Sequence, residues 1–119
     1  MKTKYGIPQK ELDEIEKRDT DCVYCHKKMI NQWDPKNRHD YVTIEHLNHR
    51  KDWDSVRSGV SIPTIIAICC WNCNTNRGAM SLHAWFNEDY CKEKNINYST
   101  VAPVVKKYID VYENQLNQK

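Results

Sequence analysis

The order of apolar and polar positions divides the chain into short, contrasting blocks. "IPQKELDEIEKRD" opens on Pro8, which suits a first helical turn, and continues with strong helix formers and Glu/Lys pairs, predicting a helix over about residues 8–18. "YVTIEHL" (41–47) is rich in β-branched and aromatic residues and predicts a strand, and "TIIAIC" (64–69) predicts a second. Between them "NHRKDWDSVRSGVSIP" is polar and carries Gly59 and Pro63, the composition of a loop. Beyond the second strand the pattern turns helical, first from Asn74 to about Met80, then in a segment capped by Ser81 with Leu82, Trp85, Phe86 and Cys91 as its apolar positions. A last helix follows Ser99 or Thr100, either of which suits a cap, with Val101, Val104, Val105, Tyr108, Ile109 and Tyr112 in an i, i+3, i+4 stripe. Such a stripe packs inward or pairs with a second copy, so a homodimer is a candidate assembly.

No repeat, low-complexity tract or linker interrupts residues 1–119, so one domain is expected. A chain of this length builds a modest core that benefits from a staple. Its 18 basic and 16 acidic residues leave a formal charge of +2, so attraction to nucleic acid must come from local clusters, not a bulk field. The N-terminus has no apolar h-region, and no stretch approaches the roughly 18 apolar residues that span a bilayer. The expectation is a soluble, cytoplasmic protein with no membrane partner. In a reducing compartment its six cysteines serve as metal ligands or buried thiols sooner than as disulfides.

Cys22-x-x-Cys25 and Cys70-x-x-Cys73 bracket the strand–loop–strand segment. Two residues between thiolates let both sulfurs turn toward one ion, and two such pairs make a tetrahedral structural zinc site. A thiol-redox role needs a surrounding βαβ pattern that neither pair has. Cys69 competes with Cys70 for the site, but the x-x spacing favours Cys70, and alternation along "TIIAICC" sends its neighbour to the opposite face. Cys69 and Cys91 then read as buried, inert thiols.

Glu45 and His46 stand side by side on the first predicted strand, so carboxylate and imidazole leave it in different directions and can serve different roles. Glu-His on a first strand, a polar loop, a second strand ending in Cys70-x-x-Cys73, and Asn74 opening a helix together resemble the HNH endonuclease family, the zinc-stapled form of the ββα-metal (His-Me) finger. The resemblance covers about residues 22–80, and residues 81–119 look like the helical extension of small bacterial and phage HNH proteins. It implies an α+β fold, a small ββα-metal finger with a four-cysteine structural zinc site, flanked by an N-terminal helix and C-terminal helices. It also implies a metal-dependent endonuclease that hydrolyses phosphodiester bonds of double-stranded DNA, in a bacterial or phage-encoded setting.

Carried over by residue, the resemblance makes His46 the general base on the attacking water, Glu45 and Asn74 the ligands of the catalytic divalent ion, and Cys22, Cys25, Cys70 and Cys73 the zinc ligands. The chemistry agrees with this division. A neutral imidazole has its pKa near working pH, oxygen ligands favour magnesium or manganese, and thiolates favour zinc. Two positions depart from the family pattern. Glu45 stands where the family usually has Asp, and the family's middle asparagine has no counterpart, "IPTIIAI" offering only Thr64. His49 reads as a third metal ligand, a phosphate contact or an exposed loop histidine, and Asn76 is a second candidate for the metal.

Arg77, three residues past Asn74 on the same short helix, is the expected phosphate contact. Arg50 and His49 join it as DNA contacts from the polar loop, together with Lys51, Arg57 and Trp53. Lys27, Lys28, Lys36 and Arg38 surround the first knuckle, while Trp71, Trp85 and the helical tyrosines read as core. The competing function is a noncatalytic zinc module that binds nucleic acid or protein.

Overall fold

The computed structural model describes residues 7–48 and 62–113. It is a mixed structure of short helices around a two-stranded antiparallel sheet, with four cysteines drawn together at one end of that sheet. Helix α1 (Gln9–Arg18) follows an extended Pro8 and buries Leu12 and Ile15, the apolar positions of its inner face. Strands β1 (Val42–His46) and β2 (Ile66–Cys70) pair from Val42↔Cys70 to His46↔Ile66. Every residue of β2 is buried, whereas β1 buries only Glu45 fully. The outer edge of β2 is closed by the segment after α1: the Ile68 amide donates to the Asp19 carboxylate at 3.0 Å, and the Ile68 carbonyl accepts from the Val23 amide at 3.2 Å. Arg18 adds a bond from its guanidinium to the Ile66 carbonyl. Two-stranded sheets are marginal alone, and this covering supplies what a third strand would.

The second strand begins at Ile66 and not at Thr64, which lies in a 3₁₀ turn (Ile62–Thr64). Helix α2 (Trp71–Arg77) starts directly after β2, three residues before the expected Asn74, because Cys70 itself caps it, its sulfur accepting the Cys73 amide. Asn74 therefore sits inside the helix. The single helix expected from Ser81 is two, α3 (Leu82–Trp85) and α4 (Asp89–Lys94), separated by an extended Glu88. One continuous helix would place Trp85 and Cys91 about 120° apart around its axis, and the break lets both be buried. Helix α5 (Pro103–Tyr108) starts later than Ser99 or Thr100 because the residue before a proline is held extended, as Ala102 is, and Pro103 suits the first helical position. A π-helical turn, Ile109–Glu113, continues it.

Val101, Val105, Tyr108 and Ile109 are buried in the chain's own core with Tyr24, Leu82, Trp85 and Ile96, so the apolar stripe of the last helix faces inward. No helix among the described residues is long and apolar enough to cross a membrane. Glu113 closes this layer: its two carboxylate oxygens accept the amides of Leu82 at 2.8 Å and His83 at 3.0 Å, the open first turn of α3. Glu113→Gln replaces one acceptor with an amide that opposes an N–H, and is expected to lower stability by about 1–3 kcal/mol in urea unfolding. A loss below about 0.5 kcal/mol would mean that this cap does not hold the C-terminal layer down.

Candidate functional site

Two knuckles build the sulfur cluster. In the first, the chain reverses over residues 21–28: the Cys22 amide donates to the Lys27 carbonyl, the His26 amide to the Cys22 carbonyl, and Asp21 bridges to Lys28. The reversal requires a left-handed residue, and His26 takes it at φ 65°. Its imidazole is engaged with the Thr100 carbonyl, which ties the knuckle to the C-terminal segment. The second knuckle is the cap of α2. All four sulfurs, of Cys22, Cys25, Cys70 and Cys73, lie within 4.8 Å of one another, and Cys25 Sγ is 3.9 Å from Cys70 Sγ. Tetrahedral zinc with bonds of about 2.3 Å sets its sulfurs about 3.8 Å apart, so the cluster fits that ion in both chemistry and size.

Hydrogen bonds from Cys22, Cys70 and Cys73 hold Cys25 well below the ordinary thiol range, while Cys73 is pushed far above it by Cys22 and Cys25 beside it. Four thiolates could coexist at this spacing only around a cation. Tyr90 accepts from the Asn72 amide and its hydroxyl lies 3.2 Å from Cys73 Sγ, an outer contact of the kind that orients a ligand. Cys69 is excluded as expected. It is buried, its thiol is pushed well up by burial, and it lies near Thr43 Oγ1. Cys91, also buried, is pushed up to about 12 by burial.

Next to the sulfurs lies a buried polar group assembled from three elements. Tyr24, between the two cysteines of the first knuckle, donates its hydroxyl to Glu45 Oε2 at 2.5 Å, and Arg77 Nη1 reaches the same oxygen at 3.1 Å. Arg77 also donates to the carbonyls of His46 (3.2 Å), Leu47 (2.8 Å) and Met80 (2.9 Å). Burial raises the Glu45 carboxyl, and the Arg77 charge opposes that shift. The expectation that Arg77 meets phosphate is corrected here: it is 4 % exposed, and its N–H groups are engaged by Tyr24, Glu45 and the carbonyls of His46, Leu47 and Met80. Arg77 and Asn74 do share a helix face, but that face is turned to the strand and not to solvent.

Asn74 donates its amide to Thr43 Oγ1 at 3.0 Å and to the Ile44 carbonyl at 3.2 Å. Thr43 in turn donates to the Cys69 carbonyl across the sheet, so α2, β1 and β2 are joined through two side chains. His46 is half-buried at the end of β1, with its carbonyl held by Arg77. As an open site for magnesium or manganese, Glu45 and Asn74 do not fit together. Such an ion keeps several waters and needs an accessible carboxylate, and that of Glu45 is buried under a hydroxyl and a guanidinium. Asn76, the other candidate, accepts from the Trp85 indole at 2.8 Å. His49 and Arg50 lie outside the described residues, as do Lys51, Trp53 and Arg57.

Comparison with known proteins adds no relative: no family model, no curated protein and no solved structure matches the chain. The residues that sequence reasoning missed are Tyr24, Asp19, Tyr90 and Glu113. Each acts on a partner at least 17 positions away in the chain, so no local spacing marks it.

Proposed function

We propose that the chain is a zinc-stapled DNA endonuclease of the HNH kind, with His46 as the base that activates water. The observation that carries this reading is the placement of His46 and Asn74 on a strand–strand–helix unit whose strand end, helix and cysteine knuckle are tied together by side chains. Imidazole is the side chain suited to taking a proton from water near neutral pH, and here its main chain is fixed at a strand end while Nε2 is buried, so the reading requires water to reach the ring when substrate binds. The reading calls for added magnesium or manganese, for which the Asn74 side-chain oxygen would be a donor. Purified protein carrying zinc is expected to nick or cut supercoiled plasmid when either ion is supplied. His46→Ala is expected to slow this by about 10²-fold or more with zinc content unchanged. Undiminished cutting by that variant would remove His46 from the chemistry.

A second reading, a noncatalytic zinc module that binds nucleic acid, is favoured by the buried Glu45–Arg77 pair, which occupies the carboxylate that an HNH enzyme offers to its ion. Plasmid retarded in a gel but intact with every divalent ion would select it.

A further inference from the structure

Trp71 is only half-buried, against the expectation that it belongs to the core, and it forms part of the lining of a cavity of about 500 Å³ between α1, β1 and α2. Thr43, Ile44, Asn74 and Thr75 line it as well, with Glu16 on the α1 wall. The volume lies within the roughly 300–1,000 Å³ of small-ligand clefts. A kinked 3₁₀ turn, Pro35–Asp40, packs beside α2 and presents Lys36, Arg38 and His39 as exposed groups. The Arg38 guanidinium stands over the Trp71 ring at 5.4 Å from its centroid, and the His39 ring is edge-on to it at 5.7 Å. The carboxylates of this turn are engaged, Asp34 with the Lys36 amide and Asn37, and Asp40 with Lys27 at 2.8 Å. The charge is therefore positive on the α2 side and negative at Glu16 on the other.

We propose that this cavity is a binding site for single-stranded nucleic acid, with one unpaired base against Trp71 and the phosphate backbone along Arg38. The site rests on the nucleic-acid side of the function proposed above and does not require that the chain cuts. Stacking on an aromatic ring beside a cation is how sequence-tolerant single-strand sites work, since every base offers a π-face and every nucleotide a phosphate. A duplex keeps its base faces stacked and cannot enter a concave pocket unless a base is extruded. Glu16 repels phosphate and so keeps the backbone on the Arg38 side. A larger depression, about 850 Å³, shares Glu16, Val42 and Ile68 with the first and reaches Trp33, which is 54 % exposed and packed edge-on against Tyr41. The trough thus offers a second aromatic surface to the same strand.

The test is fluorescence anisotropy of a labelled single-stranded oligonucleotide with the zinc-loaded full chain and no added magnesium or manganese, over a range of salt. Arg38→Gln is expected to weaken binding about 3–10-fold and to flatten the slope of log affinity against log salt by about 0.7, one phosphate contact on a single strand. Trp71→Leu is expected to weaken it about tenfold or more, and zinc content establishes that α2 still folds. Lys94→Gln, which removes a cation over the Tyr90 ring outside the cavity, is expected to change nothing. Arg38 is exposed, so its variant decides the matter even if Trp71→Leu misfolds. No single-strand binding, preference for duplex, or a wild-type affinity and salt slope in Arg38→Gln would each overturn the site. Plasmid left intact by every ion, with these losses of affinity retained, would remove the nuclease and leave this site. Cutting that depends on His46 but binds normally in both variants would do the reverse.

Discussion

Replacing Cys73 with serine is expected to leave the chain without a cooperative fold at ordinary temperature. A structural zinc contributes about 10–16 kcal/mol of apparent binding free energy, comparable to or larger than the roughly 5–15 kcal/mol net stability of a domain. Cys73 is buried and belongs to the four-sulfur cluster that joins Cys22 and Cys25 to α2. Serine lacks the soft thiolate, and the three sulfurs left would hold zinc weakly. Circular dichroism against temperature, read with elemental analysis of the same sample, checks this. Cys69→Ser is the control: equally buried but outside the cluster, it is expected to keep stoichiometric zinc and lose about 1–3 kcal/mol for its buried hydroxyl. A zinc-free Cys73→Ser protein with a native melt would show that the core stands without the metal.

The second large effect is expected at Arg77. Arg77→Met keeps much of the side chain's apolar volume but strands the Glu45 carboxylate under the core and leaves the His46 and Leu47 carbonyls without their donor. Breaking a buried pair from one side costs about 3–5 kcal/mol, most of it for the charge left behind. Glu45→Gln in the same chain removes that charge and is expected to recover part of the loss, so the two substitutions will not add. Urea unfolding of the two single variants and the double variant measures the coupling. Because the pair is buried, its contribution is expected to change little between low and physiological salt, unlike that of a surface ion pair. A loss below about 1 kcal/mol in Arg77→Met would assign the end of β1 to other contacts.

Much of this architecture is legible in the residues themselves. The four-cysteine cluster follows from two cysteine spacings, the strands from β-branched runs, and the separation of Cys69 from Cys70 from simple alternation. Local capping was harder. A sulfur that caps its own helix moved the start of α2 to Trp71, and Pro103 overrode the better-looking caps at Ser99 and Thr100. The candidate site was misread where long-range pairing decides exposure. An arginine one helical turn past Asn74 looks solvent-facing until Tyr24, 53 positions away, and Glu45, 32 positions away, are brought under it. Nothing in the spacing of either motif announces that a tyrosine inside one cysteine knuckle will meet a carboxylate on β1.

That tyrosine has a thermodynamic consequence. Tyr24 lies between two of the four clustered cysteines and donates to Glu45, so a metal held by that cluster would be linked to the geometry at the end of β1, where His46 stands. Whatever factor zinc contributes to ordering the strand end, an ordered strand end returns to the zinc affinity. Competition with a colourimetric chelator therefore reads the integrity of the His46 region from a distance, with no substrate present, and ranks variants of Glu45 and Arg77 before any reaction is assayed.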